Sequence, residues 1–174
     1  MFFAVKKHFY IIDTSAILSG KPINIDNVTM VTTPGVSDEF SPGGRDYRTF
    51  QLLLEKGLEI HSPTTESIEF IKKTAQQTGD YPRLSPADIE ILALAIDLNK
   101  ASEATILTDD YSIQNIANFL QIKFQAFSQR GITKTFKWSL RCPGCGRRFK
   151  ESVPICPICG TETKVVCARK GRLK

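Results

Sequence analysis

Apolar residues along the chain fall into two alternating patterns. A short continuous run at residues 9–12 is rich in aromatic and β-branched side chains, and residues 28–33 and 104–107 read as two further strands. The run at 9–12 predicts a strand buried on both faces, and residues 104–107 another buried strand. Weaker strand signals lie at Leu58-Glu59-Ile60 and at residues 122–127. Between them, apolar positions recur at helical spacing. Thr14 or Ser15 is placed to cap a short helix begun by Ala16-Ile17-Leu18 and closed by Gly20-Lys21-Pro22. Residues 45–56 carry Phe50, Leu53 and Leu54 on one face, with Gly57 as the C′ residue. Residues 65–77 carry Ile68 and Ile71. Ser85-Pro86-Ala87-Asp88 opens a helix bearing Ile89, Leu92, Ala93 and Ile96, and Ile113, Ile116, Ala117 and Leu120 mark a further face. Pro34-Gly35 is expected to break the chain after its strand, and residues 78–84 to form a polar connection. Strands alternating with helices predict an α/β fold, a mostly parallel sheet flanked by helices.

The pattern ends at residue 127. A polar, basic stretch at 128–137 is expected to link the body, 1–127, to a small unit at 138–174. Charge divides along the same line. The body has 11 Lys/Arg against 16 Asp/Glu, net −5, whereas residues 128–174 have 12 against 2, net +10. A basic piece can neutralise phosphates, while an acidic body can gather carboxylates around metal ions or simply present a solvated surface. No apolar run approaches the roughly 18–20 residues of a membrane-spanning helix. The opening Met1-Phe2-Phe3-Ala4-Val5 is interrupted by Lys6-Lys7-His8, unlike a secretory signal, so a cytoplasmic address is expected.

All five cysteines lie between Cys142 and Cys167. Cys142-Pro143-Gly144-Cys145-Gly146 and Cys156-Pro157-Ile158-Cys159-Gly160 repeat one knuckle. Two such pairs can complete a tetrahedral thiolate shell, expected to hold a structural zinc ion, with iron as the alternative. Cys167 lies outside the pattern. Arg141, Arg147, Arg148 and Lys150 surround the first knuckle, and Arg169, Lys170, Arg172 and Lys174 end the chain. These residues are candidates for phosphate contact. Trp138, Phe136 and Phe149 lie among them, either to stack on exposed bases or to form the small unit's core.

Asp13 and Asp109-Asp110 stand at the ends of expected strands, Asp88 opens a helix and Glu39 follows a strand and turn. In an open parallel sheet the strands' carboxyl ends border the functional crevice. Carboxylates gathered there cannot all ionise without cations and would recruit Mg²⁺ or Mn²⁺, which can activate water for phosphodiester hydrolysis. Each also has a structural alternative: Asp88, Asp109 and Asp110 as helix caps, Glu39 as a solvated turn residue.

Phe9-Tyr10-Ile11-Ile12-Asp13-Thr14-Ser15-Ala16 resembles the opening of PIN domains. Ser37-Asp38-Glu39, Leu84-Ser85-Pro86-Ala87-Asp88 and Ile106-Leu107-Thr108-Asp109-Asp110-Tyr111-Ser112-Ile113 resemble their later motifs, in the PIN order. A PIN body followed by two such knuckles resembles the "Nin one binding" ribosome-assembly endonucleases shared by archaea and eukaryotes. The resemblance implies an endoribonuclease that cuts precursor small-subunit ribosomal RNA at the mature 3′ end, with Mn²⁺ or Mg²⁺ in the PIN site. It assigns Asp13, Glu39 and Asp88 as the first three acidic residues and Asp109 or Asp110 as the fourth. Thr14, Ser15 and Thr108 would hydrogen-bond around them. The rival readings are a non-catalytic RNA-binding assembly factor and a toxin-like PIN ribonuclease acting on other RNA.

Overall fold

The computed structural model describes residues 7–23, 27–127, 134–149 and 153–172. The three strongest strand signals become β1 (His8–Ile12), β2 (Val28–Thr32) and β4 (Glu103–Leu107), with β3 (Glu59–Ile60) and β5 (Lys123–Gln125) at the edges. All pair in parallel, in the order β3-β2-β1-β4-β5. Ile11, Ile12, Val31, Ile106 and Leu107 are almost wholly buried, as central strands covered on both faces require. The helices are α1 (Thr14–Leu18), α2 (Pro34–Asp38), α3 (Arg45–Glu55), α4 (Thr65–Thr78), α5 (Pro86–Asn99) and α6 (Tyr111–Phe119), with a 3₁₀ turn at Tyr81–Arg83. Among the described residues no helix is long and apolar enough to cross a membrane.

Local chemistry departs from the sequence expectation in three places. Neither Thr14 nor Ser15 caps α1; Asp13 is the N-cap, and its backbone carbonyl receives the amides of Ala16 and Ile17. Pro34-Gly35 does not break the chain. Thr33 caps α2, and Pro34 opens it at a position where a missing N–H costs nothing. Gly35 is needed for close approach: a Cβ there would stand 3.1 Å from the Cα of Ala87, where α2 meets α5. Finally, α5 buries far more than a single stripe, since Ala87, Ile91, Leu94 and Ala95 join the expected Ile89, Leu92 and Ala93. It is the central helix, packed on β1 and β4 and flanked by α2, α4 and α6.

The chain leaves β1 towards β2 on one side and returns to β4 on the other. The carboxyl ends of β1 and β4 therefore flank a topological switch point, where open parallel sheets form a crevice. Beyond residue 127 a separate antiparallel sheet, β7-β6-β8, is built from β6 (Lys134–Arg141), β7 (Arg148–Phe149) and β8 (Lys164–Arg172). β6 thus begins inside the stretch expected to be a linker, whose first part, 128–133, lies outside the described residues.

Candidate active site and metal centre

Asp13 extends the ladder by one rung, its amide donating to the Leu107 carbonyl at 3.2 Å. Its side chain is buried, and Oδ2 accepts from Ser15 Oγ at 2.6 Å and Thr108 Oγ1 at 2.8 Å. Each hydroxyl also receives an amide from the turn after β4: Asp109 N–H reaches Ser15 Oγ and Asp110 N–H reaches Thr108 Oγ1, both at 2.9 Å. A hydroxyl has one proton, so these amides leave it to be donated to Asp13. The ends of β1 and β4 are thereby tied through one carboxylate. Thr14 Oγ1 donates to Glu39 Oε2 at 2.6 Å, which brings the end of α2 to the same strand end. It is Glu39, rather than its neighbour Asp38, that this bond draws to the site.

Asp88 completes a reciprocal capping box: its amide donates to Ser85 Oγ and its Oδ2 accepts from the Ser85 amide at 2.7 Å. The structural alternative for Asp88 is therefore correct as far as it goes. Yet burial, opposed by the Ser85 hydrogen bonds and reinforced by the charges of Asp110 and Asp13, pushes its carboxyl up to about 6. Three carboxylates from β1, the turn after β4 and α5 thus share one field. Burial also raises Asp13, against the hydrogen bonds of Ser15 and Thr108. The Asp109-Asp110 pair divides. Asp109 Oδ1 accepts the Phe127 amide at 2.7 Å, tying the exit of β5. Asp110 caps α6 through Oδ1 and is the member whose charge reaches Asp88.

No ion pair among the described residues involves Asp13, Glu39, Asp88 or Asp110. A partly buried carboxyl that feels two neighbouring acids, with no bonded side-chain cation, fits a divalent metal. Among the described residues the group of side chains already gathered closely enough to hold an ion is that of the four cysteines. The four motifs do not mark Gln114, buried on α6, whose Nε2 donates to the Thr108 carbonyl at 3.0 Å. Its signal in the sequence is the adjacent pair of amides Gln114-Asn115, which interrupts an apolar helix face.

The raised carboxyls make a stability prediction. A group whose folded pKa exceeds its unfolded value stabilises below the unfolded pKa, and that contribution disappears as pH rises through the folded pKa. For Asp88 the window runs from 3.8 to about 6. In metal-free protein, Asp88→Asn should therefore raise Tm at pH 7 and leave it nearly unchanged at pH 4. The rise should be roughly 2–6 °C, from ~1–2 kcal/mol after allowance for a side chain partly open to solvent. Equal Tm differences at both pH values in thermal melts would refute the shared field.

The cysteine knuckles fold identically. Cys142 N–H donates to the Arg147 carbonyl and Gly146 N–H to the Cys142 carbonyl; Cys156, Thr161 and Gly160 repeat the pair. The four sulfurs lie within 4.8 Å of one another, with Cys142–Cys159 at 3.2 Å and Cys145–Cys156 at 3.6 Å. A zinc–sulfur bond of about 2.3 Å implies tetrahedral sulfur separations of about 3.8 Å, close to these values. The Thr161 hydroxyl and amide hold the Cys159 thiol down to about 6. Against a lowering backbone bond at Arg147, burial and the neighbouring thiols push Cys145 up to about 11. Such a set cannot fully ionise alone, and a bound cation would supply the missing charge. Cys167 stands apart on β8, opposite Trp138.

Arg141, Arg147 and Arg148 are exposed around the first knuckle. Arg169 and Lys170 lie on β8, opposite Lys137 and Phe136. Lys150 and Lys174 lie outside the described residues. Trp138 is half-buried, and the Arg83 guanidinium lies 3.9 Å above its ring.

Comparison with known proteins shows the family. The family model described as "PIN domain of ribonuclease" matches residues 10–98. Endoribonuclease Nob1 of Archaeoglobus fulgidus is 40% identical over 154 residues, covering 88% of this chain and 87% of the relative. Endoribonuclease Nob1 of Pyrococcus abyssi is 36% identical over 162 residues, covering 92% and 94%. Ribonuclease VapC1 of Thermoplasma acidophilum is 38% identical over 155 residues, covering 89% and 76%. The parallel sheet with acids at its switch point and the likeness running through the cysteine unit lead to one conclusion: the chain belongs to the PIN-domain ribonucleases, among the archaeal Nob1 endoribonucleases.

Proposed function

We propose that the chain matures the 3′ end of small-subunit ribosomal RNA by metal-dependent hydrolysis of one phosphodiester. The observation that carries this reading is the convergence of Asp13, Asp88 and Asp110 on one field at the carboxyl ends of β1 and β4, with Glu39 joined through Thr14. These four would hold Mn²⁺ or Mg²⁺. When bound, the cation activates water and neutralises charge on the phosphoryl oxygens. Ser15 and Thr108 keep the Asp13 carboxylate oriented. Asp109 belongs to the site by position, fixing the Phe127 backbone beside it.

The chain's two histidines are engaged elsewhere, His8 with Thr105 and His61 with Glu59, so neither serves as a base here. Water attacking in line on phosphorus leaves a 5′-phosphate and a 3′-hydroxyl. In the same reading the four cysteines hold a structural zinc, and Arg141, Arg147, Arg148, Lys150, Arg169 and Lys170 grip the RNA backbone.

The test is cleavage of end-labelled RNA spanning the small-subunit 3′ junction, in Mn²⁺ and in EDTA, beside transfer RNA. Metal-dependent cutting at one junction position is expected. Cutting of transfer RNA alone would favour a toxin-like enzyme, in keeping with the VapC1 relative. Binding without cutting in any metal would overturn the enzyme reading for isolated protein.

A further inference from the structure

Trp138, on β6, lies at the seam between the PIN body and the cysteine unit. Between Lys137 and Trp138 the β6–β8 register slips: Lys137 pairs with Arg169 but Trp138 with Cys167. A bulge of this kind re-aims the neighbouring side chain. The body meets Trp138 in three ways. Arg83 covers the ring at 3.9 Å. Asp80, which is buried and also accepts from Asn115 Nδ2 at 2.8 Å, hydrogen-bonds the Trp138 side chain. Gly79, left-handed at the end of α4, lies so close that a Cβ there would stand 2.7 Å from the Trp138 carbonyl carbon.

We propose that Gly79, Asp80 and Arg83 form a dock for Trp138 that holds the basic ribbon at a fixed distance from the carboxylate site. Trp138, a candidate base-stacking residue by sequence, is then an anchor whose face is already taken. The dock's supports also carry the site. Arg83 is two residues before Ser85, which caps the helix bearing Asp88, and Asn115 lies on α6, which Asp110 caps. RNA gripped by the ribbon therefore meets the carboxylates in one register, whereas a loosely tethered ribbon would present a range of phosphates. Gly79, Asp80 and Arg83 are positioning residues for the cut. This role rests on the reading above, in which the ribbon grips and the PIN site cleaves.

Trp138 is the chain's sole tryptophan, so its emission reports the dock without reference to activity. The full-length chain is compared with Gly79→Ala, Arg83→Ala, Arg83→Lys and the control Gly57→Ala. Gly57 is also a left-handed glycine after a helix, but a Cβ there meets nothing within 4 Å. Gly57→Ala thus shares the backbone strain of Gly79→Ala without the collision. Gly79→Ala and Arg83→Ala should shift emission to the red and increase quenching by acrylamide, whereas Gly57→Ala and Arg83→Lys should match wild type. On junction RNA, the two undocked variants should keep RNA affinity and ribbon zinc. Their kcat should fall roughly ten- to a hundred-fold, with cuts spread over neighbouring positions.

Wild-type emission in folded Gly79→Ala would overturn the dock. Red-shifted emission with wild-type kcat and a single cut position would overturn its positioning role. If wild-type protein cuts no RNA, the functional reading and the positioning role fall together, while emission still decides the dock.

Discussion

Replacing Asp13 with Asn should reduce cleavage by roughly three orders of magnitude while leaving RNA affinity unchanged and raising Tm in metal-free protein. Asn is nearly the shape of Asp, and its carbonyl oxygen can still receive Ser15 and Thr108. What disappears is a charge that burial already disfavours. Stability and activity should therefore move in opposite directions, as expected where a strained charge serves function. Single-turnover cleavage beside thermal melts distinguishes this outcome from simple damage, which would lower both. Cleavage at the wild-type rate would remove Asp13 from the site altogether. Asp109→Ala provides the contrast: it takes away the acceptor of the Phe127 amide, so Tm should fall and the lost activity should follow the lost fold.

The central strands are legible because residues 9–12 are an unbroken apolar run and residues 104–107 are interrupted only by Thr105, a pattern that a doubly covered sheet satisfies. Asp13 is legible for the same reason, as a charge directly after such a run. The ambiguity of Asp109-Asp110 is not removable by sequence. Which carboxyl faces the cleft depends on where β5 ends, through the bond from the Phe127 amide to Asp109, eighteen residues apart. α2 escapes detection because five residues hold too little periodicity, and its proline reads as a breaker although Thr33 makes it an opener. Asp88 shows why the structural and functional alternatives are not exclusive. One carboxyl closes a capping box and feels two other acids. The dock at Trp138 depends on a bulge and on contacts between distant segments, neither of which leaves a periodic trace.

With the four cysteines holding zinc as proposed, removing that metal should have the largest effect on folding of any single treatment, and it should be confined to one part of the chain. The described ribbon has three strands and the two knuckles, with Cys142 and Cys156 as its buried cysteines and Ile155, Ile158 and Val165 largely exposed. So small a core cannot hold itself together. A structural zinc site contributes on the order of 10–16 kcal/mol at neutral pH, far more than that core. Paired Cys142→Ser and Cys145→Ser changes, or a strong chelator, should therefore unfold the ribbon. The PIN sheet, whose core is separate, should keep its far-ultraviolet signature and its own melting transition. RNA affinity should fall, and the slope of log K against log salt should flatten by about 0.7 for each phosphate of single-stranded RNA that the ribbon no longer neutralises. A salt titration that keeps its slope after metal removal would mean that the ribbon neutralises no phosphates, and the grip would then have to lie on the acidic body. A titration that flattens while Mn²⁺-dependent cleavage of short RNA persists would separate the two metal sites by role, one holding the substrate's grip in shape and the other cutting.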